Sequence, residues 1–434
     1  MNTGQENWER AKRLIPGGNM LLSKRPEMFL PGRWPTYFSK AKGCRIWDLD
    51  GHELIDTGLM GVGTNILGYG YESVDQRVLQ VVRDGNLSSL NCIEEVDLAE
   101  KLVELHPWSS MVKLARTGGE ACAIATRIGR AFSGKSGVAI CGYHGWHDWY
   151  LAANLAEDDA LDGHLLPGLK PLGVPRELQG TTRPFVYNDL DGLEEILSAG
   201  ETGVIYMEVE RSTPPEEGFL QGVRNLADKY QSVLIFDECS SGFRILKGGT
   251  HLVHGVNPDI AMFGKTLGNG YAITAVIGTE EVMQAAQETF ISSTFWTERI
   301  GPAAALATLD AMEVEDAPSK VNQIGENVQK IWKELAKKNG LKIQVSGLPA
   351  LSSFSIEGFD NSIVKTFIVQ EMLERNHIAG NAFFACIEHT DEILNGYSER
   401  LDEVFSMIST SQSNDDLINR IDGSVCHTGF HRLA

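Results

Sequence analysis

The chain has little that would direct it to a membrane, a nucleic acid or an oxidising compartment. No uninterrupted apolar run in its 434 residues approaches the span of about 20 that crosses a bilayer. The N-terminus, MNTGQENWERAKR, is charged and has no apolar segment, so no signal peptide is expected. Positive charge is scarce: 38 Lys and Arg against 58 Asp and Glu give a formal charge of −20. That balance argues against nucleic acid or an anionic membrane as partner. The seven cysteines (Cys44, Cys92, Cys122, Cys141, Cys239, Cys386 and Cys426) are scattered and never in C-x-x-C spacing. Reduced thiols in a cytoplasmic protein fit them better than disulfides or zinc, and no metal is expected. Two nucleotide-binding patterns are also incomplete. A P-loop ending at Gly264-Lys265-Thr266 needs glycine where Asp259 stands, and Gly61-Val62-Gly63 and Gly268-Asn269-Gly270 lack the third glycine of a dinucleotide fold.

A chain of this length can bury a sizeable core and suits two domains better than one. Near the start, Glu6 to Leu14 suits a short helix, and residues 44–48 and 52–56 flank Asp50-Gly51 as a hairpin. From Met111 onward, short apolar runs alternate with glycine-containing loops and helical patterns. The runs are Val112–Ala115, Val138–Cys141, Val204–Met207, Val233–Phe236 and Ile260–Phe263, which read as buried parallel strands of an α/β sheet. Beyond about Gly301 the pattern turns to α+β, with helices over 303–312 and 321–339 and strands over 341–345 and 351–356. A last helix is expected from Thr390, its cap, to Met407, followed by a polar linker at 410–416 and a short tail.

The strand ends carry the chemistry, and in open α/β sheets they meet in one crevice. Lys265 follows the apolar run Ile260–Phe263 and a glycine. A lysine there is costly to bury as a cation, and a partly neutral amine is the usual nucleophile toward an aldehyde. Thr117-Gly118-Gly119 opens a helix with bare backbone N–H groups suited to a phosphate. Asp237 ends a strand where a buried carboxylate calls for a cation, such as a protonated pyridine nitrogen. Tyr143 offers a flat face for stacking on a ring. Taken singly, each has a plainer alternative: a surface lysine, a capped helix, a solvent-facing aspartate, a rim tyrosine. Together they match the needs of pyridoxal 5′-phosphate (PLP).

The segments RTGGEACAIATRIGRAF, GYHGWHD, LIFDECSSGFR and PDIAMFGKTLGNG resemble, in order and spacing, the landmarks of class-III, fold-type I PLP-dependent aminotransferases. Within the family the chain looks like the glutamate-1-semialdehyde 2,1-aminomutase group, with RLIPGGN, GVPRELQGTTRPFVYNDLDGLEEIL and EHTDEIL as supporting segments. The resemblance runs over about residues 5 to 409. It implies a large PLP-binding domain over 61–305 with a mainly parallel sheet flanked by helices. A smaller α+β domain over 306–434 with a short tail would go with it, and an N-terminal segment, 1–60, would pack with the small domain.

By the same resemblance, Lys265 is the Schiff-base lysine, Asp237 the pyridinium partner and Tyr143 the stacking ring. Thr117, Gly118 and Gly119 hold the phosphate, with Thr294 reaching it from the other subunit of a homodimer. Glu208 supports the cofactor, and His144 and Cys239 lie around it. Arg25 matches the position of a carboxylate-binding arginine. The chain also departs from the family's pattern. The usual S-G-T is Thr117-Gly118-Gly119, and the hydrophobic residue after Asp-Glu is Cys239. The G-G-G after the lysine is Gly268-Asn269-Gly270, and small residues after the phosphate threonine become Phe295-Trp296-Thr297-Glu298-Arg299. The implied activity is amino transfer between a small-molecule donor and a carbonyl acceptor through Lys265, with intramolecular transfer of the aminomutase type as the alternative.

Overall fold

A computed structural model of the chain describes residues 2–157, 159–164, 167–210 and 212–430. The last four residues of the expected tail lie outside them. The chain divides into two compact units, Met1–Tyr71 with Ser319–Ala434, and Glu72–Pro318. The second break falls in the first turn of the helix Ala317–Lys338 rather than at residue 305. Residue 305 lies inside the helix Ile300–Glu315, whose buried face of alanines, Leu309 and Met312 belongs to the Glu72–Pro318 unit.

The first unit begins with the helix Thr3–Leu14, where Asn2 and Gln5 form a capping box. Strands β1 (Phe38–Lys42), β2 (Arg45–Asp48) and β3 (Glu53–Asp56) then form an antiparallel sheet. Its Asp-Gly hairpin is as expected: Asp48 Oδ1 accepts from the N–H groups of Asp50 and His52, each at 2.9 Å, and Gly51 takes φ +87°.

The second unit is built on seven strands. These are β4 (Met111–Ala115), β5 (Gly137–Cys141), β6 (Thr182–Pro184), β7 (Thr202–Glu208), β8 (Val233–Glu238), β9 (Ile260–Phe263) and β10 (Thr274–Gly278). Their order across the sheet is β4-β10-β9-β8-β7-β5-β6. Every residue of β5, β8, β9 and β10 is buried, as expected for strands covered on both faces. The helices Gly118–Ser133, Leu190–Ser198 and Phe219–Tyr230 alternate with the strands. Pairing is parallel from β9 through to β6. The expectation for β4 needs correction: its neighbour is β10, which runs antiparallel to both β4 and β9. Only residues 264–273 join β9 to β10, too few for the crossover that a parallel return requires. Pro184 ends β6 at the sheet edge, where its missing N–H costs no ladder bond.

The first unit resumes with β11 (Ile343–Ser346), β12 (Leu351–Ile356), β13 (His377–Ile378) and β14 (Ala382–Phe384). Strands β11, β12 and β14 form a small sheet, while β13 pairs with β3 and so ties the two ends of the chain together. Thr390 caps the helix Asp391–Ser409, as expected. The polar stretch 410–416 is less of a linker than its composition suggests. Ser413 caps a short helix, Asn414–Ile418, and Leu417 is fully buried. The chain then lies along the helix Asn361–Leu373, where Gln370 and Thr366 pair with the backbone of Arg420, Asp422 and Cys426. Among the described residues no helix is long and apolar enough to cross a membrane.

Candidate active site

Four strand ends and one helix start build the site, all within the Glu72–Pro318 unit. β9 stops at Gly264, and Lys265 follows with φ +33°, a left-handed conformation that is costly for a residue with a β-carbon. Gly264 allows this turn: a β-carbon there would lie 2.9 Å from Cys239 Sγ. The half-buried lysine places Nζ 2.6 Å from Ser240 Oγ.

One strand over, β8 ends in Asp237-Glu238, and the two carboxylates serve opposite sides. Asp237, 4% exposed, accepts from Cys239 N on Oδ1 at 3.0 Å, while its Oδ2 lies 2.8 Å from His144 Nδ1 and 3.7 Å from Cys122 Sγ. Glu238 points away and accepts from Ser241 Oγ, Thr250 N, His251 N and His251 Nδ1 at 2.7–2.9 Å. Burial of the Cys239 thiol pushes its pKa up to about 11, against the pull of the Lys265 cation, so it stays a neutral thiol.

β7 ends in Glu208, whose carboxylate lies against the turn after β5. Tyr143 N donates to Glu208 Oε2 at 3.3 Å, and a β-carbon on Gly142 would lie 2.6 Å from that oxygen. The half-buried Tyr143 ring stands edge-on to Tyr150, with centroids 5.8 Å apart. His144 is fully buried behind Asp237, packed on Tyr206 with centroids at 4.4 Å, so its contact is with the aspartate.

After β4, the helix Gly118–Ser133 opens with a capping box between Thr117 and Glu120. The Thr117 hydroxyl accepts from Glu120 N and is used as a cap. Gly118 and Gly119 stand ahead of the helix's first internal hydrogen bond, from Ala121 N to Thr117 O. A β-carbon on Gly119 would fall 2.9 Å from the His147 ring and 3.4 Å from Trp146 Nε1. His147 Nδ1 is itself buried without a partner among the described residues, and burial lowers the pKa of the ring.

Thr294 lies exposed on the turn Thr294–Thr297, beside Phe290 (84% exposed) and Phe295 (71%). Arg116, next to Thr117, anchors this turn by donating to the carbonyls of Trp296 and Glu298, both at 2.9 Å. Arg25 belongs to the other unit, where its guanidinium faces the Phe430 ring at 5.8 Å. The structure thus brings Lys265, Asp237, Cys239 and His144 together, with Tyr143 and Glu208 alongside. Ser240, Trp146 and His147 went unnoticed in the sequence, although all three sit inside the segments singled out there.

The segments have counterparts in known proteins. A family model described as aminotransferase class-III matches residues 32–390. The chain belongs to the class-III aminotransferase family. It is 34% identical over 406 residues to a 3-aminobutyryl-CoA aminotransferase of Cloacimonas acidaminovorans, covering 89% of this chain and 92% of that relative. A glutamate-1-semialdehyde 2,1-aminomutase of Methanothrix thermoacetophila is 32% identical over 360 residues, covering 81% of each chain. Among solved structures, the FumI protein of Sphingopyxis sp. MTA144, in a PLP-bound form, superposes with a TM-score of 0.86 at 22% identity, covering 96% of this chain and all of that one. The architecture is that of fold type I, and the protein is a PLP-dependent aminotransferase.

The aminotransferase's own residues fit that cofactor. An anionic phosphate suits the bare start of a 16-residue helix beside the orphaned His147 nitrogen. A cationic ring nitrogen suits the buried Asp237 carboxylate, and an aldehyde suits the Lys265 amine.

Proposed function

We propose that this aminotransferase moves an amino group from a small-molecule donor to a separate carbonyl acceptor, with Lys265 as the working amine. The observation that carries the reading is the half-buried Lys265 amine at a strained strand end, one strand over from the buried Asp237 carboxylate, with both bearing on Cys239. When bound, PLP supplies the aldehyde and an electron-withdrawing ring. Lys265 would hold the aldehyde through its amine, and that amine, when free, would carry a proton to and from the substrate carbon. Asp237, itself oriented by His144 and Cys239 N, would hold a proton on the ring nitrogen. Tyr143 would be the stacking face for the ring, Glu208 steadies the turn that carries Tyr143, and Cys239 would stand by the ring as a neutral thiol. The N–H groups of Gly118 and Gly119 would hold the phosphate, with His147 beside them; Thr117 acts through its cap. Arg25, with a fork suited to bidentate pairing, is the candidate for a substrate carboxylate.

Two subunits complete each site. Thr294 and the exposed Phe290 and Phe295 form a polar and apolar surface suited to burial against a second copy of the chain. The seven free thiols suit a cytoplasmic protein.

A relative named as an aminotransferase, similar over 89% of the chain, favours transfer between two molecules. The aminomutase relatives keep intramolecular transfer as the second reading. Borohydride reduction of the holoenzyme followed by peptide mapping should place the cofactor on Lys265, and an adduct on another lysine refutes the assignment. With a donor alone, amino transfer should stop after one equivalent per subunit and resume on addition of a carbonyl acceptor. Sustained turnover of a single substrate would establish the aminomutase reading instead.

A further inference from the structure

The turn after β8 is clamped from several directions, and the clamp converges on one hydroxyl. Gly242 N donates to Glu238 O at 2.9 Å, closing the turn. Thr266 Oγ1 donates to Gly242 O at 3.0 Å, which ties it to the residue after Lys265. Ser241 is held at both ends: its hydroxyl donates to Glu238, and its carbonyl accepts from Thr250 Oγ1 at 3.2 Å. Ser240 itself is gripped through its carbonyl by Nε of the buried Arg244, at 2.6 Å. What remains of Ser240 is a hydroxyl 2.6 Å from Lys265 Nζ. The ties at Gly242 N and at the carbonyls of Gly242, Ser241 and Ser240 fix backbone, so little freedom is left in where that oxygen sits.

We infer that Ser240 is the positioning residue for the Lys265 amine, its preset hydroxyl fixing where Nζ sits without fixing its charge. This rests on the reading of Lys265 as the working amine. A hydroxyl both donates and accepts, so it can pair with an ammonium or with a neutral amine. A carboxylate in its place would hold the ammonium and oppose its use as a base. The other charged groups that bear on Cys239, next to Ser240, are Lys265, Asp237, Glu208 and Arg244. Asp237 is engaged with His144 and Cys239 N, and Arg244 with the Ser240 carbonyl. Ser240 acts through Lys265 and performs no chemistry of its own.

The test uses Ser240→Ala, Ser240→Thr and Ser240→Asp in the full chain. An amine misplaced by about an ångström should lower kcat roughly ten- to a hundredfold in Ser240→Ala, with little change in KM, and Ser240→Thr should restore most of the rate. The second readout does not need activity: in cofactor-free protein, the pH dependence of Lys265 labelling by cyanate, followed by peptide mass, gives the titration midpoint of its amine. Ser240→Asp should raise that midpoint by about one pH unit or more, and Ser240→Thr should leave it in place. A wild-type midpoint in Ser240→Asp, or wild-type kcat in Ser240→Ala, overturns the inference. Labelling reads the Ser240–Lys265 contact even if the cofactor maps to another lysine, so failure of the catalytic assignment is seen separately.

Discussion

Gly145→Ala tests how the turn after β5 supports the phosphate end of the site. Gly145 has φ +92°, and a β-carbon there would lie 2.9 Å from Gly119 Cα. Two costs therefore add. Forcing an L-residue into that backbone region costs about 1–3 kcal/mol. The contact is with main chain, which cannot rotate away, and overpacking of this kind costs about 1–3 kcal/mol more. The sum is roughly 2–6 kcal/mol. Part of it should appear as lost stability and part as displacement of Gly119, whose N–H faces the phosphate in the reading above. If about 1.4 kcal/mol falls on binding, PLP affinity drops tenfold, and larger shares give more. Equilibrium dialysis of PLP with the full-length chain, alongside thermal melting of the cofactor-free protein, separates the two parts. A control isolates the cause: Gly396 lies in the helix Asp391–Ser409 with open space where a β-carbon would go. Gly396→Ala should stabilise by up to about 1 kcal/mol and leave PLP binding alone. Wild-type affinity together with a wild-type melting temperature in Gly145→Ala would refute the reasoning.

Two further predictions concern the subunit interface and acid stability. Mixing Lys265→Ala with Thr294→Ala at limiting PLP should give hybrid dimers in which one site regains PLP affinity and turnover; verified hybrids with no gain over the parents would mean that Thr294 acts in its own subunit or not at all. His106 is fully buried, and desolvation depresses its pKa to about 4, with His251 adding to the effect and the Leu102 carbonyl opposing it. The unfolded chain therefore binds a proton that the folded one refuses, so this contribution to stability is complete above about pH 6.5 and is lost as pH falls toward 4, by up to roughly 3 kcal/mol. His106→Gln should flatten that part of the stability–pH curve in denaturant titrations, and an unchanged slope would show that His106 is not the group responsible.

The order of elements and the chemistry at their ends were legible in the chain itself. Ile260–Phe263 and Val233–Phe236 read as buried strands because strands covered on both faces need uninterrupted apolar side chains. Lys265 and Asp237 stood out because a charge at the end of such a strand needs a partner. The Asp50-Gly51 turn is a local signal, encoded within a few residues, and the structure has it as read; the Thr117–Glu120 capping box is equally local. What local sequence could not carry is which distant groups meet. β10 inserts between β4 and β9 because of chain length and direction, which its own five residues do not display. Thr117, expected among the phosphate-binding residues, has its hydroxyl occupied at Glu120 N, while His147 fills the space beside Gly119 from a different loop. Ser240 is an ordinary serine in sequence. Its closeness to Lys265 exists only because β8 and β9 are neighbours in the sheet, with Arg244 and Thr266 holding the turn between them. Chemical capacity belongs to the residue type and its local pattern, whereas partners, orientation and charge state come from groups the chain brings together across long separations.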